Sequence, residues 1–215
     1  MPSVAQTRFC GERAACLYSP SMRSDLAHQL SAPIESPRLL LESLCAGHAE
    51  FFIAPLQQDE ALYQWISMPK PDSLDALRER WRRIEASRMS PDGAFAWPIW
   101  AVRRKSDGQY LGRVDAEISA SLEAVNLGFY FFSPHWGQGY ASEGAAAAVA
   151  ELSARGVQRF VATVTVGNLA SGRVLQKVGF KLSRILPAND VIRGEAMDDE
   201  EYVLQLDPAA PTTSS

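Results

Sequence analysis

Two short stretches carry residue types whose spacing suits chemistry. The first, Trp136-Gly137-Gln138-Gly139-Tyr140-Ala141-Ser142-Glu143, lies between a strand pattern and an alanine-rich helical run. Backbone N–H groups at a helix start have no partner within the helix, and the positive end of the helix dipole lies behind them. Glycine lets an anion come close to that backbone. The turn reads either as a pyrophosphate cradle or as a tight strand-to-helix turn that needs glycine only for its dihedrals. No Gly-Lys-Ser/Thr closes it, so it is not a Walker loop. It follows a meander rather than the first strand, and its glycines have the wrong spacing for a Rossmann fingerprint. The second stretch runs Asn168-Leu169-Ala170-Ser171-Gly172-Arg173-Val174-Leu175-Gln176-Lys177-Val178-Gly179-Phe180. Asn168 reads as a helix N-cap, Gly179 as the C-terminal stop, and Ser171 sits one turn in. No Ser-His-Asp or Cys-His set is visible, and His28, His48 and His135 are scattered. Asp115 and Glu117 share one face of a strand by alternation. They read as proton acceptors or counter-charges, or simply as solvent-facing carboxylates.

The surrounding elements follow from periodicity. Residues 1–32 are rich in Ser, Ala and scattered charge without a sustained period and read as a disordered leader, in which Met22 offers an alternative start. A first strand is expected at 36–41. Helical spacing covers 47–67 with Pro55 as a break, and a second helix begins near Asp72 or Ser73 and runs through Leu74, Leu77, Trp81 and Ile84. Its other face carries Arg78, Arg80, Arg82, Arg83 and Arg88, which read as solvated surface. Strands follow at 96–103, 110–118 and 124–132, with a turn at 106–109. A helix at 141–155, a strand at 159–166, a helix at 168–178 and strands at 180–186 and 201–206, separated by a polar loop, complete the order. This order predicts an α/β (α+β layered) domain: a mixed, mostly antiparallel sheet with helices on its faces. Residues 33–207 form the single domain of this reading, and 208–215 a flexible tail.

Composition narrows the function class. Hydrophobic residues make up 47% of the 215-residue chain and charged residues 21%, which suits one globular core. The net charge of −4 offers no basic footprint for nucleic acid. No apolar run of about 18 or more residues marks a membrane span. Three cysteines, Cys10, Cys16 and Cys45, lack metal-type pairing and form an odd count, so the expectation is no metal, no disulfide framework and a cytoplasmic location.

Together the two stretches resemble the GNAT N-acetyltransferase superfamily. The Trp-Gly-Gln-Gly-Tyr-Ala-Ser-Glu run is similar to that family's acetyl-CoA loop, in the form found in its RimJ/RimL-type, ribosomal-protein N-terminal acetyltransferase branch. Asn168, Ser171, Leu175, Lys177, Gly179 and Phe180 match the family's Asn-x-x-Ser-x-x-x-Leu-x-Lys-x-Gly-Phe helix. The resemblance follows the element order over residues 36–206 and is specific over 124–180.

The resemblance implies a GNAT fold with a splayed strand pair, here 124–132 and 159–166, between which the pantetheine arm of acetyl-CoA lies. Backbone amides of Gln138, Gly139, Tyr140, Ala141 and Ser142 would bind pyrophosphate. Phe129, Tyr130 and Phe131 would pair with the arm like an added strand. Asn168 would bond the pantetheine and Ser171 would lie near the thioester. The implied reaction is acetyl transfer by direct attack of a primary amine, on a peptide or protein N-terminus or on a small molecule. The expected partners are acetyl-CoA and that amine, with no nucleic acid and no membrane; a homodimer stays open. The chain departs from the family at two catalytic positions. Leu175 stands where a Tyr commonly protonates the thiolate, leaving Ser171 as the nearest hydroxyl. Asn126 stands where a Glu commonly serves as base, leaving Asp115 and Glu117 as the nearest carboxylates. Trp97, Trp100, Tyr63 and Trp65 lie on segments that shape the acceptor side in the family, and most of them read first as core packing. The departures also allow a non-catalytic acyl-CoA-binding sensor.

Overall fold

The structure, a computed structural model, describes residues 21–206. Its first half runs α1 (Ser24–Leu30), β1 (Ile34–Glu35), β2 (Leu39–Ser43), α2 (Ala49–Gln58) and α3 (Leu74–Ser87). The meander follows as β3 (Phe95–Ala96), β4 (Ile99–Arg104), β5 (Tyr110–Ser119) and β6 (Glu123–Phe131). The last part is α4 (Tyr140–Ala154), β7 (Arg159–Thr165), α5 (Leu169–Val178), β8 (Lys181–Ile192) and β9 (Glu195–Gln205). One sheet takes all nine strands in the order β1-β2-β4-β5-β6-β7-β9-β8, with β3 beside β5. Every pairing is antiparallel except that of β6 with β7.

Both faces of the sheet are covered because its central strands are apolar on both sides. In β4, Trp100 and Val102 enter a core with α1, α4 and α5, while Ile99 and Ala101 enter a second core with α2 and α3. Adjacent strand residues point to opposite faces, so one strand serves both layers. α3 starts at Ser73, whose hydroxyl accepts from the Ala76 amide at 3.2 Å. Among the described residues no helix is long and apolar enough to cross a membrane.

The structure corrects several expectations. Residues 1–32 are not a disordered leader throughout: α1 lies within them, and Met22, Ala27 and Leu30 are buried in the main core. Burying a Met or Leu side chain is worth about 1.5–3 kcal/mol, enough to dock a seven-residue helix too short to show a clear period. Residues 1–20 and the tail at 208–215 lie outside the described residues. The strand expected at 36–41 is a hairpin, β1 and β2, whose turn is closed by the Ser36 amide on the Leu39 carbonyl at 3.0 Å. The helix expected at 47–67 ends at Gln58, three residues after Pro55. Arg88 is not on a solvated face; it caps α3 in a left-handed conformation and donates to the Leu44 carbonyl at 2.6 Å. The polar loop between the last strands is itself paired. β8 and β9 extend to a turn at Arg193 and Gly194, with a register break between Leu186 and Asp190. Residues 187–198 of this hairpin are polar and largely exposed and carry little apolar alternation, whereas Tyr202 and Leu204 of β9 enter the main core.

Candidate active site

The parallel pair β6 and β7 meets only at Glu123 with Arg159 and at Ala124 with Phe160. At the next residue the β5–β6 register shifts, so that Glu117 faces Asn126 while Ile118 faces Ala124. Such a bulge bends its strand and increases its twist, and from there β6 turns away from β7. The gap opens into a cleft of about 640 Å³. Asn126, Phe129, Tyr130 and Phe131 line it from β6, and Thr163, Val164 and Thr165 from β7. The start of α4 and the first turns of α5 complete its walls.

The glycine turn stands at one end. Gly137 and Gly139 have φ of 74° and 80°, values that L side chains rarely adopt. Gly139 is the N-terminal flanking residue of α4. No acceptor is recorded, among the described residues, for the backbone N–H groups of Gly137, Gln138, Gly139, Tyr140, Ala141 or Ser142. Six free amides at the start of a 15-residue helix suit a doubly charged phosphate group. Gly139, Tyr140, Ala141 and Ser142 line the cleft; Gln138 does not, and its carbonyl accepts from Arg38 Nη1 at 3.1 Å.

Arg38 and Glu143 brace this turn; Glu143 closes the sequence motif, but its pairing with Arg38 is not legible there. Glu143, in the first turn of α4, accepts from the Ser36 hydroxyl and the Arg38 amide at 2.7 Å each, and pairs with the Arg38 guanidinium. Burial pushes the Glu143 carboxyl up, but these donors outweigh it and hold it below the usual carboxylate range. The guanidinium also lies 4.5 Å from the centre of the Tyr140 ring. A contact 105 positions apart in the chain carries no local signal.

On the β7 side of the cleft, Asn168 Oδ1 accepts from the Ser171 amide at 3.2 Å and caps α5. The cap uses only the carbonyl oxygen and leaves the Asn168 amide nitrogen for a ligand. Ser171 and Leu175 both line the cleft. The helix stops at Gly179, whose φ is 108°; the Phe180 and Gly179 amides close on the Leu175 and Gln176 carbonyls, as in a Schellman motif. Gly172 is explained by a close approach. A Cβ there would lie 2.8 Å from the Tyr202 hydroxyl, which is buried and donates to Glu200 at 2.7 Å. Gly172→Ala should therefore lower stability in a denaturant titration. Overpacking costs about 1–3 kcal/mol, against a gain in helix propensity of about 1 kcal/mol. A more stable variant would show that Tyr202 yields freely.

The four sequence-predicted catalytic residues do not all converge. Ser171, Asn126 and Asp115 line the cleft. Asp115 is paired with Arg113, Oδ1 to Nε, at 2.9 Å, and its other oxygen packs against Gly128, where a Cβ would lie at 2.9 Å. Glu117 is not among the lining residues; burial pushes its carboxyl up, and its neighbours are Trp97, Asp92 and Asp115. The two carboxylates share a strand face as expected, but the bulge carries the cleft past Glu117. Of the acceptor-side aromatics, Trp65 lines the cleft, Trp100 is fully buried with its indole N–H on the Ala32 carbonyl at 3.0 Å, and Tyr63 is in the second core. Sequence reasoning missed Asp199, a cleft-lining carboxylate that is only 4% exposed. It stands opposite Thr165 in the β7–β9 register, in the segment read as a polar loop.

Residues 38–181 match the acetyltransferase (GNAT) domain family. The chain is 25% identical over 171 residues to an uncharacterized N-acetyltransferase, YoaA, of Bacillus subtilis (strain 168), covering 79% of this chain and 94% of the relative. Two solved structures share the fold. RimL, a ribosomal L7/L12 alpha-N-protein acetyltransferase in complex with coenzyme A, superposes with a TM-score of 0.72 at 20% identity, covering 81% of this chain and 98% of its own. The microcin C7 self-immunity acetyltransferase MccE, in complex with acetyl-CoA and AMP, superposes with a TM-score of 0.69 at 18% identity, covering 80% and 94%. With a family match over most of its length and this fold, the chain belongs to the GNAT acetyltransferases and is an acyltransferase.

Proposed function

We propose that the cleft binds acetyl-CoA and passes its acetyl group to a primary amine, on a peptide or protein N-terminus or on a small molecule, by direct attack. The observation that carries this reading is the row of free amides from Gly137 to Ser142 after β6, beside a strand gap whose lining also includes Asn168 and Ser171 after β7. The amides would hold the pyrophosphate, the unpaired edge of β6 at Phe129, Tyr130 and Phe131 would take the amide-rich arm, and Asn168 would donate to it. The thioester supplies the activated acetyl group. The relatives in complex with coenzyme A and acetyl-CoA support the donor. RimL, named for a protein N-terminus, and MccE, named for self-immunity to microcin C7, support the breadth of the acceptor class. A cytoplasmic location goes with this reading and rests on the odd cysteine count.

Acetyl-CoA at 100 times its dissociation constant should add about 2.7 kcal/mol of apparent stability, read as a rise in Tm that ATP does not reproduce. Free CoA should then be released with at least one amine from a panel of seryl and alanyl peptides, a polyamine and an aminoglycoside. Tight acetyl-CoA binding without release on any of them would favour an acyl-CoA sensor, a reading motivated by Leu175 and Asn126 at positions where the family commonly carries Tyr and Glu.

A further inference from the structure

One carboxylate in the cleft keeps an oxygen without a hydrogen-bond partner in the fold. Asp199 is buried, lines the cleft and accepts from the Asn189 amide nitrogen through Oδ2 at 2.8 Å. Its other oxygen, Oδ1, is buried without a hydrogen-bond partner. A buried carboxylate oxygen left unpaired is costly, and such an orphan in a native site calls for an explanation. Asp115, by contrast, is neutralised by Arg113. Thr165 rises beside Asp199 from β7 and also lines the cleft. Asp190, on β8, brings a second carboxylate to the same wall.

We infer that Asp199 receives the acceptor's ammonium group and takes its proton, with Asp190 as the neighbouring counter-charge, so that the acceptor is a cationic amine. This rests on the amine-acetylation reading above. The balance is as follows. The ammonium gives one proton to Asp199 and becomes a neutral amine. Its lone pair forms the C–N bond, the C–S bond breaks, and sulfur leaves with the electron pair. The second amine proton passes to the thiolate, and Asp199 returns its proton to solvent.

The charged surroundings suit this task. Burial pushes the Asp199 carboxyl up, Asp190 and Asp198 push it further, and the Asn189 and Thr165 side chains pull it back without cancelling the rise. A raised carboxyl is a better proton acceptor near neutrality than an ordinary aspartate, and its ionised form is lost as pH falls through the raised value.

The test uses the full chain, acetyl-CoA and the panel amines. Asp199→Asn should lower kcat about 10²–10⁴-fold near neutral pH, recover part of the loss as pH rises and frees neutral amine, and leave acetyl-CoA affinity unchanged. Asp190→Asn should move the acid limb of the wild-type pH–rate profile to lower pH, because removing a neighbouring negative charge eases ionisation of Asp199. A structural role would not move that limb. Wild-type kcat in Asp199→Asn, with the wild type active, overturns the proposal and leaves the acetylation reading standing. If Asp199→Asn fails to fold, the Asp190→Asn profile decides: a shifted limb supports the proposal and an unshifted one overturns it. A wild type inactive on every amine overturns both readings.

Discussion

Gly139→Val is expected to weaken acetyl-CoA binding about 10–100-fold while the domain still folds. Gly139 has a φ of 80° at the start of α4, and holding a β-branched residue there costs about 1–3 kcal/mol, with 1.4 kcal/mol equal to a factor of ten in affinity. The turn escapes this strain by changing its dihedrals, and doing so re-aims the amides around it. The new side chain has little room either: a Cβ would sit 3.4 Å from the Arg38 guanidinium, which also holds the Gln138 carbonyl and pairs with Glu143. Calorimetric titration of wild type and variant with acetyl-CoA reads the effect. A folded variant with wild-type affinity would place the phosphate site elsewhere.

Ser171→Ala is expected to act on the chemical step. The hydroxyl lines the cleft one turn into α5, beside Leu175, which has no proton to give. If Ser171 protonates the departing thiolate, its contribution is made in the transition state, so kcat and kcat/KM should fall together while acetyl-CoA affinity stays the same. Acid assistance of this kind is worth about 10²–10⁴-fold. The substitution leaves the cap intact, because Asn168 bonds the Ser171 backbone amide and not its hydroxyl. An unchanged kcat would assign thiolate departure to solvent or to positioning alone.

Local chemistry made one half of the site legible in the sequence. A left-handed turn needs glycine, a helix start needs a cap, and α5 must stop at a left-handed residue; Gly137 and Gly139 meet the first need just before α4, and Asn168 and Gly179 meet the other two at the ends of α5. Apolar alternation likewise revealed the meander strands and the element order, because each strand's two faces are written at period two. The mixed, mostly antiparallel sheet with helices on both faces follows from that order.

Other features depend on residues far apart in the chain, and these only the tertiary structure decided. α1 is too short to carry a period of its own, and it docks because Leu30 and Ala27 find a core made by other elements. The brace on the glycine turn joins Arg38, in the β1–β2 turn, to Glu143 in the first turn of α4. The bulge beside Asn126 decides which carboxylates reach the cleft: it keeps Asp115 at the wall and leaves Glu117 outside. Asp199 sits in a run of acidic residues, Asp198-Asp199-Glu200-Glu201, that reads as solvated surface when taken alone. Pairing with β7 turns one of them inward, opposite Thr165, and buries it. Burial and partner are properties of the assembled sheet, so the same side chain changes from surface charge to site carboxylate only when β6, β7 and β9 come together.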